Sequence, residues 1–261
     1  MRNRYDVIVV GSGAAGLCAA AVAASEGQSV LLLESAKSIG GTTAISGGMV
    51  WIPANHKMSS VGLEDSLEAA VSYLKQTVPD SSEGMDAFSN ESDQAIRYLE
   101  QHTALKLRPV KRYPDYYPEL SGATLGGRVL EPVPFDGREL GSHFADLRWP
   151  LPEFMLFGAM MVSREDIPHL RRVGRSLRST IHAIKLVVRY AFQRLTHQRG
   201  TTLYLGNALA GRLYKSVLAL GVTVKVETPV IELLKTPDRG RVTGVRVDAR
   251  EGSQDIIADK A

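Results

Sequence analysis

A short apolar run that passes directly into spaced glycines sets the N-terminal architecture of this chain. Tyr5-Asp6-Val7-Ile8-Val9-Val10 leads into Gly11-Ser12-Gly13-Ala14-Ala15-Gly16, then an alanine-rich stretch, then Ser29-Val30-Leu31-Leu32-Leu33-Glu34. The first run suits a buried parallel strand. Leu17 to Ser25 holds strong helix formers without proline or glycine, and Gly27 ends the helix. Gly11 allows the tight turn, Gly13 lets the backbone approach a pyrophosphate, and Gly16 lets helix and strand pack closely. The helix start near Ala14 directs unpaired N–H groups and the positive dipole end at phosphates. Glu34 closes the second strand 18 residues after Gly16, where a carboxylate accepts ribose hydroxyls and repels a 2′-phosphate. Strand, glycine turn, helix, strand and acid in this order make a dinucleotide-binding unit; an empty glycine turn would leave the placement of Glu34 unexplained.

The residues after Glu34 choose the dinucleotide. A nicotinamide-binding domain continues into another strand and helix, whereas this chain reads Gly40-Gly41-Thr42-Thr43-Ala44-Ile45-Ser46-Gly47-Gly48. Glycines there expose backbone N–H groups, and Thr42, Thr43 and Ser46 add small hydroxyl donors, as an extended cofactor with a second phosphate and a ribityl chain requires. FAD fits this second cradle better than NAD does, and the interleaved hydroxyls argue against a merely flexible loop.

With 261 residues and 44% hydrophobic content, the chain is large enough for a sizeable core. Cys18 is the single cysteine, so no intrachain disulfide and no multi-cysteine metal site forms. In the alanine-rich helix it reads as a small buried thiol. The histidines at 56, 102, 143, 169, 182 and 197 show no metal-ligand spacing, and no metal site is assigned. Val7 to Ala24 is uncharged behind Arg2 and Arg4 and so imitates a secretory signal or a membrane span. Its early glycines and late alanines belong to the nucleotide unit instead, and the expected location is the cytoplasm.

Farther on, Leu63 to Thr77 and Asp93 to His102 read as short amphipathic helices. Pro109, Pro114, Pro118, Pro132, Pro134, Pro150 and Pro152, with glycines and aromatics between them, favour long ordered loops, and such stretches in compact domains are usually functional. Thr223 to Thr228, Val230 to Leu234, a turn at Asp238-Arg239-Gly240, Arg241 to Val247 and Gln254 to Ala258 read as strands ending in a meander. Residues 164–199 carry a net charge of +7, against −4 for the remainder. Leu170, Val173, Leu177, Ile181, Ile184, Val188, Phe192 and Leu195 recur at helical spacing, with Arg171, Arg175, Arg178, Lys185 and Arg189 mainly on other faces. The favoured reading is a solvated basic face over core packing. The alternatives are an anionic membrane surface or an acidic partner. Nucleic acid is not the expected partner, because no aromatic platform or reading motif accompanies the charge.

The segments GSGAAGLCAA, LLLESAKSIGGTTAISGGMVWIPAN, YPDYYPELSGATLGGRVLEPVPFD and GVTVKVETPVIELL with GRVTGVRV together resemble the flavoproteins of the fumarate reductase and 3-ketosteroid dehydrogenase group. Asp115-Tyr116-Tyr117-Pro118 and Gly127-Arg128 to Asp136 are more similar to the 3-ketosteroid Δ1-dehydrogenase branch. The resemblance implies that Gly11, Ser12, Gly13, Ala15, Gly16, Glu34, Ser35, Gly41, Thr42, Thr43, Ser46, Gly47 and Gly48 line FAD, with Val230 against the adenine. Ser35 stands where many relatives have a basic residue, and Pro229 removes one backbone donor beside Val230. Tyr117 matches an active-site tyrosine that assists a second, base tyrosine. The base removes a proton beside the ketone while the neighbouring carbon passes hydride to the flavin. An unperturbed phenol has a pKa of about 10, so such chemistry needs tuned tyrosines.

The expected fold is α/β, a Rossmann-like FAD-binding fold with a β-meander and a largely helical and loop insertion, incomplete at the C-terminus. The expected nucleotide core is 1–58 and 200–261 and the insertion 59–199, with the catalytic domain absent and the isolated chain unable to turn over or to retain flavin firmly. The expected function is FAD-dependent dehydrogenation of CH–CH groups beside a ketone on a lipophilic, 3-ketosteroid-like substrate, with the electron acceptor left open. Tyr117 and the apolar run Phe154 to Met161 favour that substrate. A fumarate reductase-like reductase and a non-catalytic flavin-binding remnant are the alternatives.

Overall fold

The central strand of the nucleotide core, Val30–Leu33, is buried along its whole length, as expected of a strand covered on both faces. The structure is a computed structural model that describes residues 3–78, 83–236, 240–249 and 252–260. Val30–Leu33 pairs in parallel with Val7–Val10 on one side and Thr223–Lys225 on the other. Side chains alternate across it. Leu31 and Leu33 join Tyr5, Val245, Val247 and Ile256 in one buried cluster, with Ile8 and Val230 packed against it. Truncating a leucine in such a cluster costs about 2–5 kcal/mol. The helices Ala14–Ser25 and Leu205–Ala219 pack on each other. Both are rich in alanine on their buried positions, which permits close approach.

The expected meander is present. Val230–Lys235, Val242–Ala249 and Gly252–Ala258 pair antiparallel in sequence order, and Arg4–Tyr5 adds in parallel to Gly252–Ala258. Of the turn expected at residues 238–240, Asp238 and Arg239 lie outside the described residues.

Contacts divide the chain into two units, residues 1–46 with 134–261, and residues 47–133. Sequence reading placed the insertion at 59–199. Residues 134–199 group with the first unit because Phe135–Asp136 pairs antiparallel with Thr202–Leu203, and Arg199 is buried against Leu147 and Asn207.

The second unit contains the antiparallel sheet Val50–Trp51, Val129–Pro132, Leu107–Pro109, in that spatial order. Its helices are Leu67–Thr77 and Glu83–His102. The first of these starts later than Leu63 because Ser66 caps it, accepting the Ala69 N–H at 3.1 Å. The second starts ten residues before Asp93. Its buried stripe runs Met85, Ser89, Ser92, Ile96, and two serines at core positions hide the helical period from a hydrophobicity reading.

The basic stretch departs from expectation. A break at 171–176 separates Ile167–Leu170 from Leu177–Arg194. The apolar stripe expected in the core is exposed, with Leu177 at 79%, Ile184 at 56% and Phe192 at 68%. Ser179, Ala183 and Leu186 are the buried positions of this helix. Two of these three inward positions carry small side chains, and Leu177, Ile184 and Phe192 are left outside. No helix among the described residues is long and apolar enough to cross a membrane.

Candidate functional site

The first glycine turn follows Val10 with Gly11 at φ +94°, its amide donating to Leu33 O at 2.7 Å. A Cβ on Gly16 would lie 1.9 Å from Gly11 O, so the crossing of turn and helix requires glycine there. Gly13 differs. Its φ is −68°, and an added Cβ would meet only Thr43 Oγ1, at 3.7 Å. Gly47, the first residue of the second unit, has no positive φ and no neighbour for a Cβ within 4 Å. Neither is needed bare by the protein's own packing. At Gly13, a dinucleotide whose phosphate approaches bare backbone accounts for the missing side chain, and the first turn therefore fits the cofactor that it implies.

Ser12 and Glu34 are buried beside the first turn. Glu34 Oε2 accepts the Ser12 hydroxyl at 2.5 Å and the Ser12 amide at 2.8 Å. Oε1 accepts the Ala36 amide at 2.8 Å and the Ser35 hydroxyl at 3.3 Å. Burial pushes the carboxyl pKa up, but these donors outweigh it and hold Glu34 below its ordinary value. A carboxylate offers about four acceptor sites, and all are engaged. The carboxylate expected to take ribose hydroxyls is thus first a brace for the turn, and the long Ser35 bond is the one a ribose hydroxyl would replace.

The two glycine runs are tied together within the first unit. Gly40 N–H donates to Ser12 Oγ at 3.0 Å, and Ala14 N–H, at the helix start, donates to Thr43 Oγ1 at 2.9 Å. The Ala14 amide expected to face phosphate is therefore committed to Thr43. Gly41 takes φ +49°, and Thr43–Ile45 forms one 3-10 turn. Thr42 and Ser46 are exposed, the Ser46 hydroxyl donating to Thr43 O at 2.8 Å. Ala15 is exposed on the first helical turn and Ser35 just beyond its strand. Gly48 is buried at φ +66°. Val230 opens its strand half-buried against the core cluster.

Sequence reasoning missed the support beneath the second run. A Cβ on Gly206 would lie 1.8 Å from Thr43 O, and the Gly206 amide donates to Ser46 O at 3.0 Å. Asn207 Nδ2 donates to Ala44 O and Arg148 O at 3.1 and 2.8 Å, and Arg148 donates to Gly41 O at 3.1 Å. Arg199, its pKa lowered by burial to about 10, donates to Asn207 Oδ1 at 3.2 Å and lies 4.5 Å from the Phe144 ring centre. Only a glycine and an asparagine at a helix start signal this in the sequence.

Tyr117 belongs to the second unit, on a loop between Leu107–Pro109 and Val129–Pro132. It lines a cavity of about 300 Å³ together with Val50, Trp51, Tyr73, Leu74, Tyr113 and Tyr116. Thr77 and Asp115 also line it, and no Lys, Arg or His is among its described lining residues. Asp115 ties this wall to an ion cluster that the sequence does not announce. Arg128 donates to both oxygens of Asp65 at 2.7 Å and to Asp115 Oδ2 at 2.8 Å, all three side chains being 1% exposed. Burial opposes the Arg128 charge, but Asp65 and Asp115 outweigh it and hold the pKa above its ordinary value. Asp115 Oδ1 accepts Trp51 Nε1–H at 2.7 Å. The guanidinium lies 5.4 Å from the Trp51 ring centre. The other apolar run, Phe154 to Met161, belongs to the first unit. It forms the hairpin Met155–Leu156 and Met160–Met161 and lines an apolar groove with Ala183, Ile184 and Val188.

The FAD binding domain family matches residues 6–261. The chain is 37% identical over 247 residues to the 3-oxosteroid 1-dehydrogenase of Mycobacterium tuberculosis, covering 94% of this chain and 43% of that protein. It is 36% identical over 256 residues to the 4-oxocyclohex-2-ene-1-carboxylate 5-dehydrogenase of Sinomonas cyclohexanicum, covering 95% and 43%. Its structure is similar, with a TM-score of 0.88 and 35% identity, to that of 3-ketosteroid delta1-dehydrogenase from Sterolibacterium denitrificans in complex with 1,4-androstadiene-3,17-dione, covering 98% of this chain and 46% of that one. The chain spans less than half the length of these relatives.

Proposed function

Because the chain belongs to the FAD binding domain family, we propose that it is the flavin-holding part of a dehydrogenase acting beside the ketone of a lipophilic, 3-ketosteroid-like ring. Gly11, Ser12, Gly13, Ala15, Gly16, Glu34, Ser35, Gly41, Thr42, Thr43, Ser46, Gly47, Gly48 and Val230 would hold FAD. The cofactor, when bound, supplies a hydride acceptor for the carbon next to the one that loses its proton. The amides of Ala15 and Gly16, beyond the committed Ala14 amide, would meet phosphate, and Glu34 and Ser12 keep the turn in shape. Tyr117 contacts the substrate, its hydroxyl tuning the proton transfer.

The observation that carries this reading is the cavity around Tyr117, whose described lining is tyrosines and apolar side chains with Thr77 and Asp115 and holds no cation. A carboxylate entering it would find no cation among the described lining residues and would face Asp115, and burying an unpaired carboxylate is costly. An uncharged ketone meets no such penalty, which disfavours a dicarboxylate reductase. The test is substrate choice by the product of the full reading frame. Turnover of a 3-ketosteroid in preference to fumarate or 4-oxocyclohexanecarboxylate supports the assignment, and preference for either acid refutes it.

The exposed face of Leu177–Arg194 supports a second element of the proposal, contact with an anionic lipid surface. Leu177, Ile181, Ile184 and Phe192 present apolar side chains, with Arg178, Lys185 and Arg189 on the same helix. That combination suits a helix lying in a lipid interface, where apolar insertion and attraction to anionic headgroups add.

A further inference from the structure

We propose that Asp115 is a positioning residue that, together with Tyr73, fixes Tyr117 at the cavity. This deepens the reading of the Tyr117 cavity given above and rests on it.

Residues 110–128 contain no helix or strand, and such a loop is ordinarily among the mobile parts of a fold. Here it is bracketed. Two residues before Tyr117, the Asp115 carboxylate has both oxygens engaged, by Trp51 on one side and by Arg128 and the Thr124 amide (2.9 Å) on the other. Charge counting shows that neutralising Arg128 does not by itself require Asp115. Asp65 already takes that guanidinium in a two-bond fork, the geometry that suits an arginine best. A second buried carboxylate leaves the cluster one negative charge in excess, an arrangement that costs stability unless further donors satisfy it. Those donors are the Trp51 indole, which belongs to the cavity wall, and Thr124, which belongs to the returning arm of the loop. Asp115 thus joins the wall and both arms of the loop at one buried point.

Past Asp115, the Tyr117 amide donates to the Tyr73 hydroxyl at 3.2 Å, and Tyr73 is anchored in the helix Leu67–Thr77. The loop tip is seated on the same helix, since a Cβ on Gly122 would lie 2.1 Å from Ala69 O. Asp115 and Tyr73 therefore fix the backbone at Tyr117, a residue that is itself 53% exposed, and loosening either anchor shifts the point from which its hydroxyl is presented.

The test is a pair of double-mutant cycles in the product of the full reading frame, with kcat and KM for a 3-ketosteroid and flavin content measured throughout. Asp115→Asn is expected to lower kcat about 10²-fold, the scale of a misplacement near 1 Å, with KM changed far less and flavin retained. Tyr73→Phe is expected to lower kcat about tenfold, the scale of one lost hydrogen bond. Neither substitution is expected to cause further loss once Tyr117→Phe is present, because the group being positioned is gone. Equal fractional losses with and without Tyr117→Phe, or an unchanged kcat in Asp115→Asn, overturn the positioning role and leave the function reading intact. If Asp115→Asn lacks flavin, the Tyr73→Phe cycle decides by the same criterion. Full turnover in Tyr117→Phe alone refutes the function reading and this proposal together.

Discussion

Ser12 donates its hydroxyl to Glu34 Oε2 at 2.5 Å while accepting the Gly40 amide at 3.0 Å. One small side chain thereby joins the first glycine turn to the end of the second strand and to the start of the second glycine run. Ser12→Ala leaves a buried carboxylate and a buried amide short of partners, at a cost of about 1–3 kcal/mol. It also has a pH signature. The Glu34 pKa is depressed in the folded protein, so its contribution is fully present above the unfolded value of about 4.3 and is lost as pH falls through the folded value. Removing the Ser12 donor raises the folded value, and acid unfolding followed by circular dichroism should begin at higher pH in the variant.

The glycines at 13 and 16 should separate by assay. Gly16→Ala drives a methyl into Gly11 O and should lower stability in urea by at least about 1–3 kcal/mol. A Cβ at Gly13 meets only Thr43 Oγ1, at 3.7 Å, and Gly13→Val should fold while losing flavin. Retention of flavin by Gly13→Val would remove the cradle assignment.

Cys18 should be chemically quiet. Burial pushes its thiol up to about 11, so near pH 8 only about one molecule in a thousand carries the reactive thiolate. Labelling by a thiol reagent should be slow in the native protein and should speed up sharply in denaturant.

Leu177→Ser with Ile184→Ser should abolish co-sedimentation with vesicles containing anionic lipid while leaving secondary structure unchanged. Arg178→Glu with Lys185→Glu should weaken binding to anionic vesicles and not to neutral ones. Equal sedimentation of wild type and variants would remove the lipid contact.

The strand, turn and helix that build the first cradle were legible because their signals are local. Gly11, Gly13 and Gly16 lie within six residues, and the run before them is the parallel strand that the sequence predicts. That strand is half-buried, with Val10 56% exposed, rather than buried, because among the described residues it pairs on one side only in its sheet. What escaped is non-local. Asp65 and Arg128 meet across 63 positions, and Asn207 supports Ala44 across 163, with no periodicity to mark either pair. The basic helix was misread for a different reason. Its apolar stripe has the spacing of a core-facing helix, yet Ser179 and Ala183 take the inward positions, because spacing reports that a helix has two faces and not which one is covered.

Anaerobic mixing of the full-reading-frame product with a 3-ketosteroid, with the visible flavin absorbance followed, separates a protein that holds FAD and acts on the ketone ring through Tyr117 from one that does not. Rapid bleaching is expected in the wild type and bleaching slowed by at least about 10²-fold in Tyr117→Phe, with equal flavin content in both. Equal bleaching rates in the two proteins, or no bleaching by the wild type, would overturn the assignment.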